Sequence, residues 1–63
     1  MSLVYLRKQA KLSQYELAKK LYVTQKAVSF WEQGKREPNC QTIMNLSNVL
    51  NCSIEDIVRC FVN

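Results

Sequence analysis

LSQYELAKKLYVTQKAVSFW, residues 12–31, decides how this chain folds. Ser13 suits the residue just before a helix, because its hydroxyl accepts from a free backbone N–H of the first turn. Glu16, three residues on, can reach back to the Ser13 N–H and complete a capping box. Leu12 and Leu17 bracket that start at the spacing of a hydrophobic staple. The same grammar returns eleven residues later, with Thr24 as the cap and Val23 and Val28 as the apolar pair. Starts this close leave room for about two turns of helix and a tight connection. The first of the two helices is expected from Gln14 to Leu21, with Leu17, Ala18 and Leu21 facing inward. The second is expected from Gln25 to Gln33, with Ala27, Val28 and Trp31 inward, and Gly34 ends it in a left-handed conformation.

Outward from this pair, residues 2–10 read as a first helix with Leu3, Leu6 and Ala10 on one stripe. Arg7 falls on that stripe, where a charge calls for a partner. Residues 35–38 read as a loop. Asn39 caps a fourth helix that runs to Leu50 on an Ile43, Leu46 and Leu50 stripe, and Asn51 takes the left-handed position. Ser53 caps a short fifth helix with Ile54, Ile57, Val58 and Phe61 on its apolar side, and Cys52 with Ile57 as its staple. The expected fold class is all-α, a compact five-helix bundle with residues 1–63 as one domain.

The chain has 63 residues, with one glycine and one proline, too few for the turns of an all-β fold. Its 48% hydrophobic content argues for a core and against disorder. No apolar run approaches a membrane span, and the N-terminus has no secretory pattern, so a cytoplasmic location is expected. Net charge is +4 and unevenly spread. Residues 1–36 hold eight Lys or Arg against two Glu, whereas residues 37–63 carry a net −2. A basic front half favours a polyanion. Its cations are not confined to one long amphipathic helix, so a membrane surface fits poorly.

Cys40, Cys52 and Cys60 form no CxxC pair, and there is no histidine, so neither a metal site nor a cofactor is expected. The thiols read as small buried or half-buried side chains in a reducing compartment. An enzyme is the weakest reading, since there is no nucleophile–base set and no Gly-rich loop. Glu55 and Asp56 sit where the helix dipole favours them.

LSQYELAKKLYVTQKAVSFWEQGKREP resembles the helix-turn-helix of the phage lambda repressor, Cro and Xre family. The matching pattern is SQ-x-ELA, then T-Q-x-x-V-S, then WE-x-GK-x-x-P. IMNLSNVLNCSIEDIV is similar to the family's fourth and fifth helices, and the resemblance covers residues 3–58. It implies a sequence-specific double-stranded DNA-binding regulator whose third helix enters the major groove, with repression by operator occupancy as the default. It also implies that Gln14 holds the DNA backbone and braces Gln25, and that Arg7 and Glu32 pair between the first and third helices. The family favours glycine where this chain has Lys11, Tyr22 and Asn51, which makes either a strained or an altered turn at Tyr22 the expectation.

The residues themselves point the same way. Gln25, Lys26 and Ser29 would lie deepest in the groove, where Gln pairs with adenine and Lys donates to guanine. Phe30 either packs on a thymine methyl or turns to core or interface. Gln14, Thr24, Lys35 and Arg36 are candidate backbone contacts, and Lys19 is a weaker one. A lone module covers only roughly 600–1,000 Å² of DNA. A homodimer on a palindromic operator is therefore expected, with Val58, Phe61 and Val62 at its seam unless Phe61 caps the chain's own core. No small-molecule effector is evident. The rival reading is an antitoxin-like protein-interaction module of the same fold.

Overall fold

Four polar side chains and one capping box set where the helices begin. In the computed structural model, which describes residues 2–62, the helices are α1 (Leu3–Gln9), α2 (Gln14–Leu21), α3 (Gln25–Glu32), α4 (Cys40–Leu50) and α5 (Ile54–Arg59). Ser2, Ser13, Thr24, Asn39 and Ser53 each accept from the backbone N–H three residues on. Ser2 is therefore a cap and not the first helical residue. At α2 the box closes both ways: Glu16 N–H donates to Ser13 Oγ (3.0 Å) and Ser13 N–H to Glu16 Oε1 (2.8 Å). The Ser13 N–H and hydroxyl hold the Glu16 carboxyl below its ordinary pKa.

Four of the five helix ends share one device. A six-to-one backbone bond closes α1 (Leu12 N–H to Arg7 O, 3.2 Å), α2 (Val23 to Ala18, 3.0 Å), α3 (Lys35 to Phe30, 2.9 Å) and α4 (Cys52 to Ser47, 3.1 Å). Such a bond needs a left-handed residue just before its donor. Lys11 (φ 60°), Tyr22 (φ 59°), Gly34 (φ 75°) and Asn51 (φ 53°) take that role. Tyr22 thus keeps the left-handed turn without being glycine, and the turn geometry is not altered.

A left-handed non-glycine residue costs roughly 1–2 kcal/mol, while glycine loosens the unfolded chain by about 0.4–1 kcal/mol. The Tyr22 side chain is 96% exposed and contributes no core packing. Tyr22→Gly is expected to stabilise by about 0.5–1 kcal/mol, raising Tm by roughly 2–8 °C in a thermal melt. An unchanged or lower Tm would show the turn to be unstrained.

The core gathers Leu3 and Leu6 from α1, Leu17, Ala18 and Leu21 from α2, Val28 and Trp31 from α3, Leu46 and Leu50 from α4, and Ile57 from α5. α2 packs on α3 and α4, α5 on α4, and α1 on α3. The radius of gyration is 10.1 Å. Among the described residues there is no strand, and no helix is long and apolar enough to cross a membrane.

The apolar side expected for α5 is narrower than its sequence suggests. Ile57 is fully buried, but Ile54 (47%) and Val58 (38%) are exposed, because a helix of six residues presents barely one face to the core. Phe61 packs against the core as a half-buried side chain. Cys52 and Cys60 also pack there, and burial pushes both thiols above their ordinary pKa. Cys40 is exposed.

Candidate nucleic-acid interface

The α2–α3 unit is held from beneath by one carboxylate. Glu32, the last residue of α3, accepts from Arg7 Nε at 2.6 Å and, more weakly, from Arg7 Nη2 at 3.4 Å. It also accepts from Gln14 Nε2 at 2.8 Å. Arg7 Nη1 donates to Leu12 O at 2.9 Å, so the guanidinium ties α1 to the loop before α2 as well. The two charged side chains are only 12% and 6% exposed. α1, the start of α2 and the end of α3 therefore meet at a single node. Here the structure departs from one expectation: the Gln14 amide braces Glu32, not Gln25. A carboxylate is a stronger acceptor than the neutral amide of Gln25, so the donor goes to the charge.

Above this node the start of α3 stands free. Thr24, Gln25 and Lys26 are exposed, and Ala27, Val28 and Trp31 turn inward. Thr24 Oγ1 accepts from the Ala27 N–H at 3.1 Å, which leaves its own O–H to donate outward. Ser29 is half-buried, and its Oγ accepts from Gln33 Nε2 at 2.9 Å, so its O–H is likewise free. Lys35 and Arg36, just past α3, are exposed, as are Lys19 and Lys20 on α2. Lys19 Nζ rests 5.5 Å from the centre of the Tyr15 ring.

Phe30 does not enter the core. Its half-buried ring lies on the α3 surface with Lys26 Nζ at 5.5 Å and Lys35 Nζ at 5.6 Å from its centre. The Lys26 contact follows from the four-residue spacing on one helix face. The Lys35 contact was not read in the sequence, because it depends on the Gly34 turn folding the chain back over Phe30.

The start of α3 thus presents free donors and acceptors at Thr24, Gln25 and Lys26, with Lys35 and Arg36 exposed just past the end of the helix. Away from this face, Val58 and Val62 are exposed beside Phe61 and line a small apolar groove with Glu37, Pro38 and Ile43.

Comparison with known proteins agrees with this architecture. A family model described as "Helix-turn-helix" matches residues 3–57. Three relatives align over 53 residues, or 84% of the chain. An uncharacterized HTH-type transcriptional regulator, YqaE of Bacillus subtilis, is 42% identical over 46% of its own length. The HTH-type transcriptional activator BcrR of Enterococcus faecalis is 36% identical over 26% of its length. Repressor protein C2 of Salmonella phage P22 is 36% identical over 24% of its length. All three carry the names of regulators, none that of an enzyme. The chain spans less than half the length of each of them. No solved structure matches the chain. The capped α2–α3 pair, the match over residues 3–57 and these relatives together show that the chain belongs to the helix-turn-helix family, in its Xre and lambda-repressor branch.

Proposed function

We propose that this protein is a sequence-specific double-stranded DNA-binding transcriptional regulator that inserts α3 into the major groove and represses by occupying its operator. The observation that carries this reading is the free tip of α3. Gln25 and Lys26 are exposed there, flanked by the cations Lys35 and Arg36 and braced from below by the Arg7–Glu32–Gln14 node. Gln25, Lys26 and Ser29 read base edges, Gln with adenine and Lys with guanine. Gln14, Thr24, Lys35, Arg36 and Lys19 hold phosphates. Gln14 serves that role with the second N–H of an amide whose first is committed to Glu32. Occupancy blocks or aids polymerase, and repression is the default by resemblance; the regulators it resembles include both an activator and a repressor by name.

Two copies are proposed to bind a palindromic site whose half-site centres lie about 34–36 Å apart, or a multiple of that. Val58 and Val62, exposed at 38% and 66%, with Phe61 behind them, form the seam.

The test begins with selection of binding sites from random duplexes. Gln25→Ala is expected to lose about 1–3 kcal/mol on the selected site and relax the preference at one base pair. Arg36→Ala is expected to weaken every duplex alike and flatten the salt slope by about one. Equal losses on every sequence for Gln25→Ala would remove its reading role. One protomer per selected duplex in sedimentation would remove the dimer. An α3 tip that protects no DNA would leave a protein-interaction module.

A further inference from the structure

We propose that Phe30 is a positioning residue for DNA binding: its ring gathers the ammonium groups of Lys26 and Lys35 and orders both before DNA arrives. This rests on the DNA-binding reading above and assigns Phe30 a role other than contact with a base.

Two independent pieces of backbone geometry bring the lysines to one ring. Lys26 stands one helical turn before Phe30 on the same face, with its ammonium 5.5 Å from the ring centre. Lys35 follows the left-handed Gly34, and its N–H donates to the carbonyl of Phe30 itself at 2.9 Å. In this type of helix end the side chains of the two bonded residues often meet as an apolar pair. Here the pair is a lysine on an aromatic ring, with the ammonium 5.6 Å from the centre. Two ammonium groups with nothing between them repel. The electron-rich face of a ring attracts a cation, so Phe30 offsets that repulsion.

The consequence concerns binding entropy. A lysine has a long flexible stem, and order lost on association subtracts from affinity. A lysine already resting on a ring has lost part of that freedom in the free protein. The contact does not use up the ammonium, which has three N–H donors and turns the ones away from the ring toward a phosphate or a guanine edge. One ring thus couples a lysine of the groove-facing helix to a lysine of the flanking loop.

Ordering part of a long side chain before association corresponds to about a 2–5-fold effect on affinity, so losing it at both lysines is worth about 4–25-fold. The experiment compares Phe30, Phe30→Leu and Phe30→Tyr in the full chain. The probes are a selected duplex, the same duplex with deoxyuridine for thymine, and a scrambled duplex. Phe30→Leu is expected to weaken the thymine and deoxyuridine duplexes alike by about 4–25-fold and the scrambled duplex less, since Lys26 reads no guanine there, and Phe30→Tyr to bind within about twofold of the parent. In a Lys26→Ala/Lys35→Ala background, Phe30→Leu is expected to change nothing further, which a purely structural loss would not reproduce. In the free protein, NMR should show ring-current shifts on the side-chain methylene protons of both lysines that vanish in Phe30→Leu. A loss confined to the thymine duplex would overturn the proposal in favour of contact with the methyl group. So would parental affinity in Phe30→Leu, or an undiminished loss in the background lacking both lysines. A parent protein that binds none of the duplexes overturns the DNA-binding reading itself.

Discussion

Arg7→Ala is expected to cost about 3–5 kcal/mol of folding stability, read as a lowered urea midpoint by circular dichroism. The reason lies in what the truncation leaves behind. Glu32 is 6% exposed and receives its 2.6 Å bond from Arg7 Nε. Without Arg7 it keeps only the Gln14 amide, and a carboxylate shut away from water with one neutral donor is heavily penalised. Leu12 O loses its donor in the same step. A chain of 63 residues has a total stability on the order of 3–9 kcal/mol, so this single change leaves a large unfolded fraction. Replacing both partners with apolar residues, Arg7→Met with Glu32→Leu, is expected to restore most of the midpoint, since no charge is then stranded. An Arg7→Ala midpoint equal to the parent's would mean the pair is solvated and does not clamp the helices.

Trp31→Ala is expected to cost a similar amount, about 3–5 kcal/mol. Trp31 is 8% exposed on the inner face of α3, between the last turn of that helix and the shared core. Truncation removes a large apolar surface and leaves a void that helices this short close only in part. Trp31→Phe keeps most of the volume and is expected to lose much less. The comparison also separates fold from function. At a temperature where both proteins are folded, Trp31→Phe should bind a selected duplex close to the parent, because no polar group of the outer face has changed. A Trp31→Ala midpoint within about 1 kcal/mol of the parent would show that α3 is seated by its caps and not by its core face.

The helix starts were legible because capping is local chemistry: Ser13 with Glu16, Thr24, Asn39 and Ser53 need only neighbours three residues away. Arg7 was legible as an anomaly, a charge on an apolar stripe. Ser2 read as the first residue of a helix, although it is the cap one residue earlier. The Gln14 bond to Glu32 was not legible, because the two acceptors, Gln25 and Glu32, stand at opposite ends of α3 and only tertiary approach selects one. Ile54 and Val58 looked apolar enough for the core, but periodicity cannot tell which of several apolar positions a helix of six residues turns inward. On the candidate interface, the exposed Gln25 and Lys26 followed from helix spacing. The company Phe30 keeps did not, since half of it arrives through the Gly34 corner.

Those corners also govern how the chain tolerates changes in length. Four of the five helices finish on main-chain bonds of one fixed ring size. A residue inserted at 11, 22, 34 or 51 would break that ring and misdirect the helix that follows. Substitution at these places is survivable, as lysine, tyrosine and asparagine already show, whereas insertion is not. Arg36 and Glu37, exposed and without such a bond, are where an insertion is expected to leave the helix ends on either side intact, up to the buried Pro38.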